Sequence, residues 1–212
     1  MKPKVVLADD HTIVTEGLKA LLEPEFQIVA IVDNGRAAIK AVRDFKPAVI
    51  VLDVSMPILN GIDTARKIRT FDSKIKIVFL TMHTELGYVQ EAFEAGASGY
   101  VIKHSASIDL LSAIRRALLG RTYVTPGVAD NGIAALLRGS RRARATSAQL
   151  TPRQREILQL LAEGRSAKEA AAILNLSSRT VEFHKYRLMQ QLGLRTTAQL
   201  TQFAIKHKII SV

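Results

Sequence analysis

Five short apolar runs, rich in β-branched residues, punctuate the first 120 residues, at 5–8, 28–32, 48–52, 75–80 and 100–102. They are nearly continuous rather than alternating, as expected of strands covered on both faces. Helix-period segments lie between them near 13–22, 35–45, 61–70, 85–95 and 107–119. This βα repeat predicts an α/β fold, a doubly wound five-stranded parallel sheet over residues 1–120. In such sheets ligands bind outside the carboxyl ends of the strands, where the strand order reverses.

The pattern changes after Gly120. Gly, Ser, Ala and Arg dominate, with Arg138, Arg141, Arg142 and Arg144 clustered, so residues 121–147 read as a linker, with a short helix over 130–137. From 148 to 212 there are helix-start signals and no strand pattern. Thr151-Pro152-Arg153-Gln154, Ser166-Ala167-Lys168-Glu169 and Thr196-Thr197-Ala198-Gln199 are capping boxes, the first with Pro at the opening helical position. Ser177 or Ser178 can cap a further helix that runs to about Leu192, where Gly193 ends it. The result is a small all-α domain of four helices. Its second and third are joined only by Asn175-Leu176-Ser177, the spacing of a helix-turn-helix.

Composition narrows the chemistry. Cysteine is absent, which excludes disulfides, thiolate metal sites and cysteine nucleophiles and fits a cytoplasmic protein; no apolar run reaches membrane-spanning length. The net charge of +11 is unevenly spread: residues 1–120 hold 15 Lys/Arg against 14 Asp/Glu, residues 121–150 hold 5 against 1, and residues 151–212 hold 10 against 4. Nearly all the excess is C-terminal, the asymmetry of a domain that binds a polyanion.

Polar residues follow or end the strand-like runs: Asp9 and Asp10, Asp53, Thr81 and Lys103. Adjacent acids alone are ordinary turn residues. Three carboxylates at one crevice repel one another unless a cation joins them, and all-oxygen ligation suits Mg2+. Asp10 and Asp53 are the expected direct ligands, with Asp9 helping directly or through water and the Ser55 carbonyl as a further ligand. With the metal in place, Asp53 can act as nucleophile in phosphoryl transfer, Lys103 supplying a fixed ammonium and Thr81 a hydroxyl. Ser55, two residues after Asp53, and His83, two after Thr81, are expected to flank the path of an attacking water if Asp53 carries a phosphoryl group; His83 alone reads as an exposed loop residue.

Asp9-Asp10-His11 with Gly17-Leu18, Asp53-Val54-Ser55-Met56-Pro57, Gly61, Thr81 and the segment from Gly96 to Lys103 resemble the receiver domain of two-component response regulators. The resemblance implies an aspartyl-phosphate on Asp53, donated by a cognate histidine kinase. It also implies a switch in which Thr81 turns toward the phosphoryl group and Tyr100 rotates inward; from the residues alone, Tyr100 is a strand aromatic in or near the core. The domain would catalyse its own phosphorylation and dephosphorylation without being a turnover enzyme.

Leu150-Thr151-Pro152-Arg153-Gln154-Arg155-Glu156-Ile157-Leu158, Ala162-Glu163-Gly164-Arg165-Ser166, Lys168-Glu169-Ala170-Ala171 and Arg179-Thr180-Val181-Glu182-Phe183-His184 resemble the LuxR-type helix-turn-helix, and both halves together the FixJ/NarL group. Arg179, Thr180, Glu182, Phe183 and Tyr186 are the candidates for base contact, and Lys185, Arg187, Lys168 and Ser166 for phosphates. Glu182 stands where many relatives carry Lys, which implies a different base preference; it equally suits pairing with Arg179 or Tyr186. Leu200, Phe203 and Ala204 of the last helix suit either a dimer contact or packing within the domain. The expected function is phosphorylation-controlled binding of promoter DNA, as a homodimer and with RNA polymerase as a further candidate partner. The alternative is an orphan LuxR-type regulator working without phosphorylation. A phosphohydrolase would need a general acid and a substrate cap, and a small-molecule sensor a ligand cavity in place of the acidic rim.

Overall fold

The computed structural model describes residues 1–129 and 150–210, which fall into two compact units, one on each side of residues 130–149. In the first unit, β1 (Lys4–Ala8), β2 (Gln27–Val32), β3 (Val49–Leu52), β4 (Lys76–Thr81) and β5 (Gly99–Ile102) alternate with α1 (Thr12–Leu22), α2 (Gly35–Phe45), α3 (Gly61–Phe71), α4 (Leu86–Glu94) and α5 (Ala106–Leu118). All strand pairs are parallel.

The unbroken hydropathy of the strands has a direct cause. Val6, Ile50, Ile77 and Phe79 face a core shared with Ala38, Val42, Ile62 and Ala92 of α2, α3 and α4. Their neighbours Val5, Leu7, Val51 and Leu80 face a second core shared with Leu18, Leu22, Leu110 and Ile114 of α1 and α5. Both faces are covered, so neither set of alternating positions can be polar.

The expected five-stranded sheet needs one correction. A sixth strand, β6 (Tyr123–Val124), pairs in parallel with β5, giving the order β2-β1-β3-β4-β5-β6, and a helical turn, α6 (Pro126–Ala129), follows it. Both lie where the linker was expected to have begun, at 121. A two-residue strand is too short for periodicity to register. The helix expected over 130–137 and the clustered arginines lie outside the described residues.

The second unit contains α7 (Pro152–Ala162), α8 (Ala167–Leu174), α9 (Ser178–Leu192) and α10 (Thr197–Lys206). Thr151, Ser166 and Thr196 each accept a hydrogen bond from the third helical N–H, and the Gln154, Glu169 and Gln199 side chains accept one from the N–H of the cap residue. Between α8 and α9 the chain turns through Asn175 in the left-handed region (φ 52°), and Ser177, rather than Ser178, caps α9. Gly193 ends α9 at φ 67°. Ile157, Leu160, Leu174, Val181, Leu188, Leu200 and Ala204 are among the buried apolar side chains that its helices contribute.

Candidate functional site

Strand pairing builds the acidic cluster. The Asp53 N–H donates to the Ala8 carbonyl (2.8 Å) and the Asp9 N–H to the Val32 carbonyl (3.0 Å), so both acids leave the sheet beside β1, where the order reverses. Gly61 makes room for the loop between them and α3: a Cβ there would lie 1.9 Å from the Asp53 carbonyl oxygen. Asp9 and Asp53 are buried, whereas Asp10 is exposed.

Lys103 opens a 3-10 turn, Lys103–Ser105, straight after β5. Its Nζ lies 2.8 Å from Asp53 Oδ2 and 2.8 Å from Asp9 Oδ2. The first contact is a directed hydrogen bond. The second is an ion pair at the same distance, so one ammonium is divided between two buried carboxylate oxygens. Burial pushes the Asp53 carboxyl above the usual carboxylate range; Lys103 opposes that shift only in part, and Asp9 adds repulsion. Burial works to lower the Lys103 ammonium, but Asp53 and Asp9 outweigh it and raise it.

One ammonium among three acids leaves the cluster short of positive charge. One ligand atom from each of Asp9, Asp10, His11 and Asp53 lies within 4.8 Å of the others, a grouping that could hold a metal ion. An all-oxygen set of carboxylates with a single ammonium between them fits that use. His11, which carried no expected role of its own, has Nδ1 3.0 Å from carboxylate oxygens of both Asp9 and Asp10. Its only sequence signal was its place directly after the acid pair.

Thr81 is the last residue of β4 and fully buried, with Oγ1 accepting from the His83 N–H (3.3 Å). The Tyr100 ring lies inward in the core beside Phe79, and its hydroxyl donates to the His83 carbonyl (2.9 Å). Burial raises the Tyr100 phenol well above its ordinary range, so it stays protonated as a donor. His83 is not the exposed loop residue expected: its Nε2 meets Ser55 Oγ at 2.8 Å, and its ring stacks on Tyr88 at 3.9 Å. Tyr88, also unanticipated, lies in the first turn of α4, five residues on from His83.

In the second unit, α9 presents Arg179, Glu182, Phe183, Tyr186 and Arg187 to solvent while Val181 and Leu188 face inward. Arg187 lies over the Phe183 ring (5.6 Å). Two expected contacts are otherwise engaged: the Thr180 hydroxyl meets Ser177 Oγ (2.8 Å), and the Ser166 hydroxyl serves its own capping box. Lys168 is exposed and Lys185 half-buried. Glu182 faces Lys185 at 4.0 Å, neither Arg179 nor Tyr186; Tyr186 instead accepts from Gln190 (2.8 Å). Leu200 and Ala204 pack inside the domain, whereas Phe203 is half-buried and stacks on His207.

Among the described residues, no helix is long and apolar enough to cross a membrane. Residues 5–115 match the response regulator receiver domain, and residues 148–204 the luxR family of bacterial regulatory proteins. The transcriptional regulatory protein MctR of Rhizobium johnstonii is 36% identical over 212 residues, covering 99% of this chain and 96% of that protein. The oxygen regulatory protein NreC of Staphylococcus aureus is 34% identical over 214 residues, covering 98% and 99%. Among solved structures, a LuxR-family two-component response regulator from Aurantimonas is 35% identical with a TM-score of 0.61, over 65% of this chain and 99% of that one. The response regulator RcsB in complex with DNA is 27% identical with a TM-score of 0.57, over 96% and 98%.

Proposed function

The chain belongs to the two-component response regulators that join a receiver to a LuxR-type DNA-binding domain, and on that premise we propose that a phosphoryl group on Asp53 controls how the C-terminal unit engages promoter DNA. The observation that carries the reading is Lys103 Nζ held 2.8 Å from both Asp9 and Asp53 at the reversal of strand order.

Asp53 offers a carboxylate oxygen to the phosphorus of a kinase phosphohistidine. The new P–O bond forms as the P–N bond breaks, and the imidazole leaves with the bonding electron pair. Asp10 and Asp53 would hold Mg2+ with the Ser55 carbonyl and with Asp9 directly or through water; the ion supplies neutralisation of the phosphoryl oxygens. Lys103 is positioned to follow the charge from the carboxylate to the phosphoryl group, and the Thr81 hydroxyl to leave its local bond and donate there. Hydrolysis reverses the modification: water attacks phosphorus, the P–O bond to Asp53 breaks, and the carboxylate is restored with release of inorganic phosphate. Tyr100, already inward, holds the loop of His83 through its hydroxyl and so joins Thr81 in the switch. The added charge of roughly −1.5 to −2 favours any state in which these donors converge.

The charge excess of the C-terminal part supports nucleic acid as the target. Arg179, Glu182, Phe183 and Tyr186 are the side chains assigned to base edges, and Lys168, Lys185, Arg187 and the exposed end of α8 at Ser166 to phosphates. We assign the receiver to residues 1–129 and the DNA-binding domain to 148–212, in a cytoplasmic regulator that acts as a homodimer with a histidine kinase as donor and RNA polymerase as a further partner.

The test is incubation with acetyl phosphate and Mg2+, read by intact mass, followed by DNA binding at several salt concentrations for wild type and Asp53→Ala. The wild type is expected to become phosphorylated and change its DNA affinity, while the variant does neither. No phosphoprotein in the wild type overturns the mechanism; phosphorylation with unchanged affinity favours the orphan regulator.

A further inference from the structure

Residues that phosphoryl chemistry does not use build a second polar cluster beside the acidic pocket. Asp109, buried in the first turn of α5, accepts from the Tyr123 hydroxyl at Oδ1 (2.7 Å) and from the Ser105 and Thr125 hydroxyls at Oδ2 (2.7 and 3.0 Å). Thr125 Oγ1 in turn accepts from the Ile102 N–H (3.2 Å), and the Thr125 N–H donates to the Tyr100 carbonyl (3.0 Å). Burial works against the charged carboxylate, yet these three hydroxyls hold Asp109 below its ordinary range. Beyond Thr125, Val128 is buried in the core that contains Tyr100.

The cluster clips the last described residues of the receiver unit onto the two places where the pocket must change. Ile102 precedes Lys103, and Ser105 closes the turn that Lys103 opens. We propose that residues 123–128 form a strap whose lock at Asp109 loosens when Asp53 carries a phosphoryl group, so that the segment leading toward the DNA-binding domain reports the state of the pocket. The inference rests on phosphorylation of Asp53.

Lys103 is shared between two carboxylates, and esterifying one of them moves the negative charge outward onto phosphoryl oxygens. The ammonium follows, drawing on the Lys103–Ser105 turn and hence on the Ile102 N–H and Ser105 hydroxyl together. The Asp109 bonds are short, at 2.7 to 3.0 Å, and the weak links are those that join Thr125 to the Lys103 turn: the Ile102–Thr125 bond at 3.2 Å and the Ser105–Thr125 contact at 3.5 Å, the outer edge of hydrogen bonding. Movement of the Lys103 turn would weaken these links first and leave the Thr125 hydroxyl held by Asp109 alone.

Hydrogen exchange on the full chain tests this, with and without acetyl phosphate and Mg2+ and with phosphorylation measured by intact mass in the same samples. In the phosphorylated wild type the Tyr123, Thr125 and Val128 amides are expected to exchange roughly two- to tenfold faster, the equivalent of about one net hydrogen bond. Thr125→Val should exchange fast in both states and Thr125→Ser should restore the difference, because only the latter keeps the hydroxyl. A phosphorylated wild type with unchanged exchange at these amides overturns the strap alone and makes the cluster a static clip. A wild type that cannot be phosphorylated overturns the Asp53 reading and the strap with it.

Discussion

Replacing Lys103 by Met keeps most of the side-chain volume but removes the one ammonium facing Asp9 and Asp53, whose side chains are only 4% and 3% exposed. Breaking a buried ion pair from one side costs about 3–5 kcal/mol, because the partner is left buried and unpaired. The lower end applies, since burial already raises the Asp53 carboxyl and makes proton uptake an easier relief once the ammonium is gone. About 3 kcal/mol corresponds to roughly 6–12 °C in melting temperature for a chain of this size. Near-UV circular dichroism during urea unfolding isolates the receiver signal, since Tyr88, Tyr100 and Tyr123 lie there, only Tyr186 lies elsewhere, and the chain has no tryptophan. A carboxyl whose folded pKa is raised adds stability below its unfolded value near 3.9 and loses it as pH rises through the folded one. The deficit of Lys103→Met should therefore be largest at neutral pH and shrink on acidification. Adding Asp53→Asn should recover most of it. A loss below about 1 kcal/mol, or no recovery in the double variant, would refute the assignment of this pair as a buried and charge-deficient site.

Gly61→Ala should lower receiver stability by about 1–3 kcal/mol in the same assay, because its Cβ meets the Asp53 backbone and no flexible side chain can yield. Ser177→Ala should cost the DNA-binding unit about 1 kcal/mol in a far-UV melt, since it removes the cap of α9. The Tyr123 phenol is pushed up to about 12, first by burial and then by Asp109. Its contribution is thus intact below about 10, the ordinary tyrosine value, and lost as pH rises toward 12. Tyr88 and Tyr100 are raised as well, so ultraviolet titration should show the late tyrosinate step of the wild type reduced by one group, not abolished, in Tyr123→Phe. Chelating Mg2+ with EDTA should abolish labelling of Asp53 by acetyl phosphate, read by intact mass; undiminished labelling would remove the metal from the reading.

The parts of the fold that depend on local chemistry were legible along the chain. Both faces of the sheet are covered, so the strands appear as unbroken apolar runs, and the acids, threonine and lysine that follow or end those runs gather at the sheet's carboxyl end. The three capping boxes lie within four residues each, and each forms as its spacing implies. Glu182 was visible as a distinctive residue, but pairing with Lys185 depended on side-chain directions that i+3 and i+4 spacing alone leaves open.

What required tertiary structure was anything bonded across distance. The half-buried His83 owes its hydrogen bond to Ser55, 28 residues away, although its stacking partner Tyr88 is near in sequence. The sixth strand spans two residues, too few for a periodic signal, and exists because β5 offers an open edge and Asp109 gathers hydroxyls from Ser105, Tyr123 and Thr125. Sequence by itself determined which side chains could carry charge and phosphoryl chemistry, because those depend on residue type and on nearest neighbours along an element. Only the folded chain decided which of them share a proton, a cation or a hydrogen bond, because those interactions fade within a few ångströms and the chain must first bring their partners together.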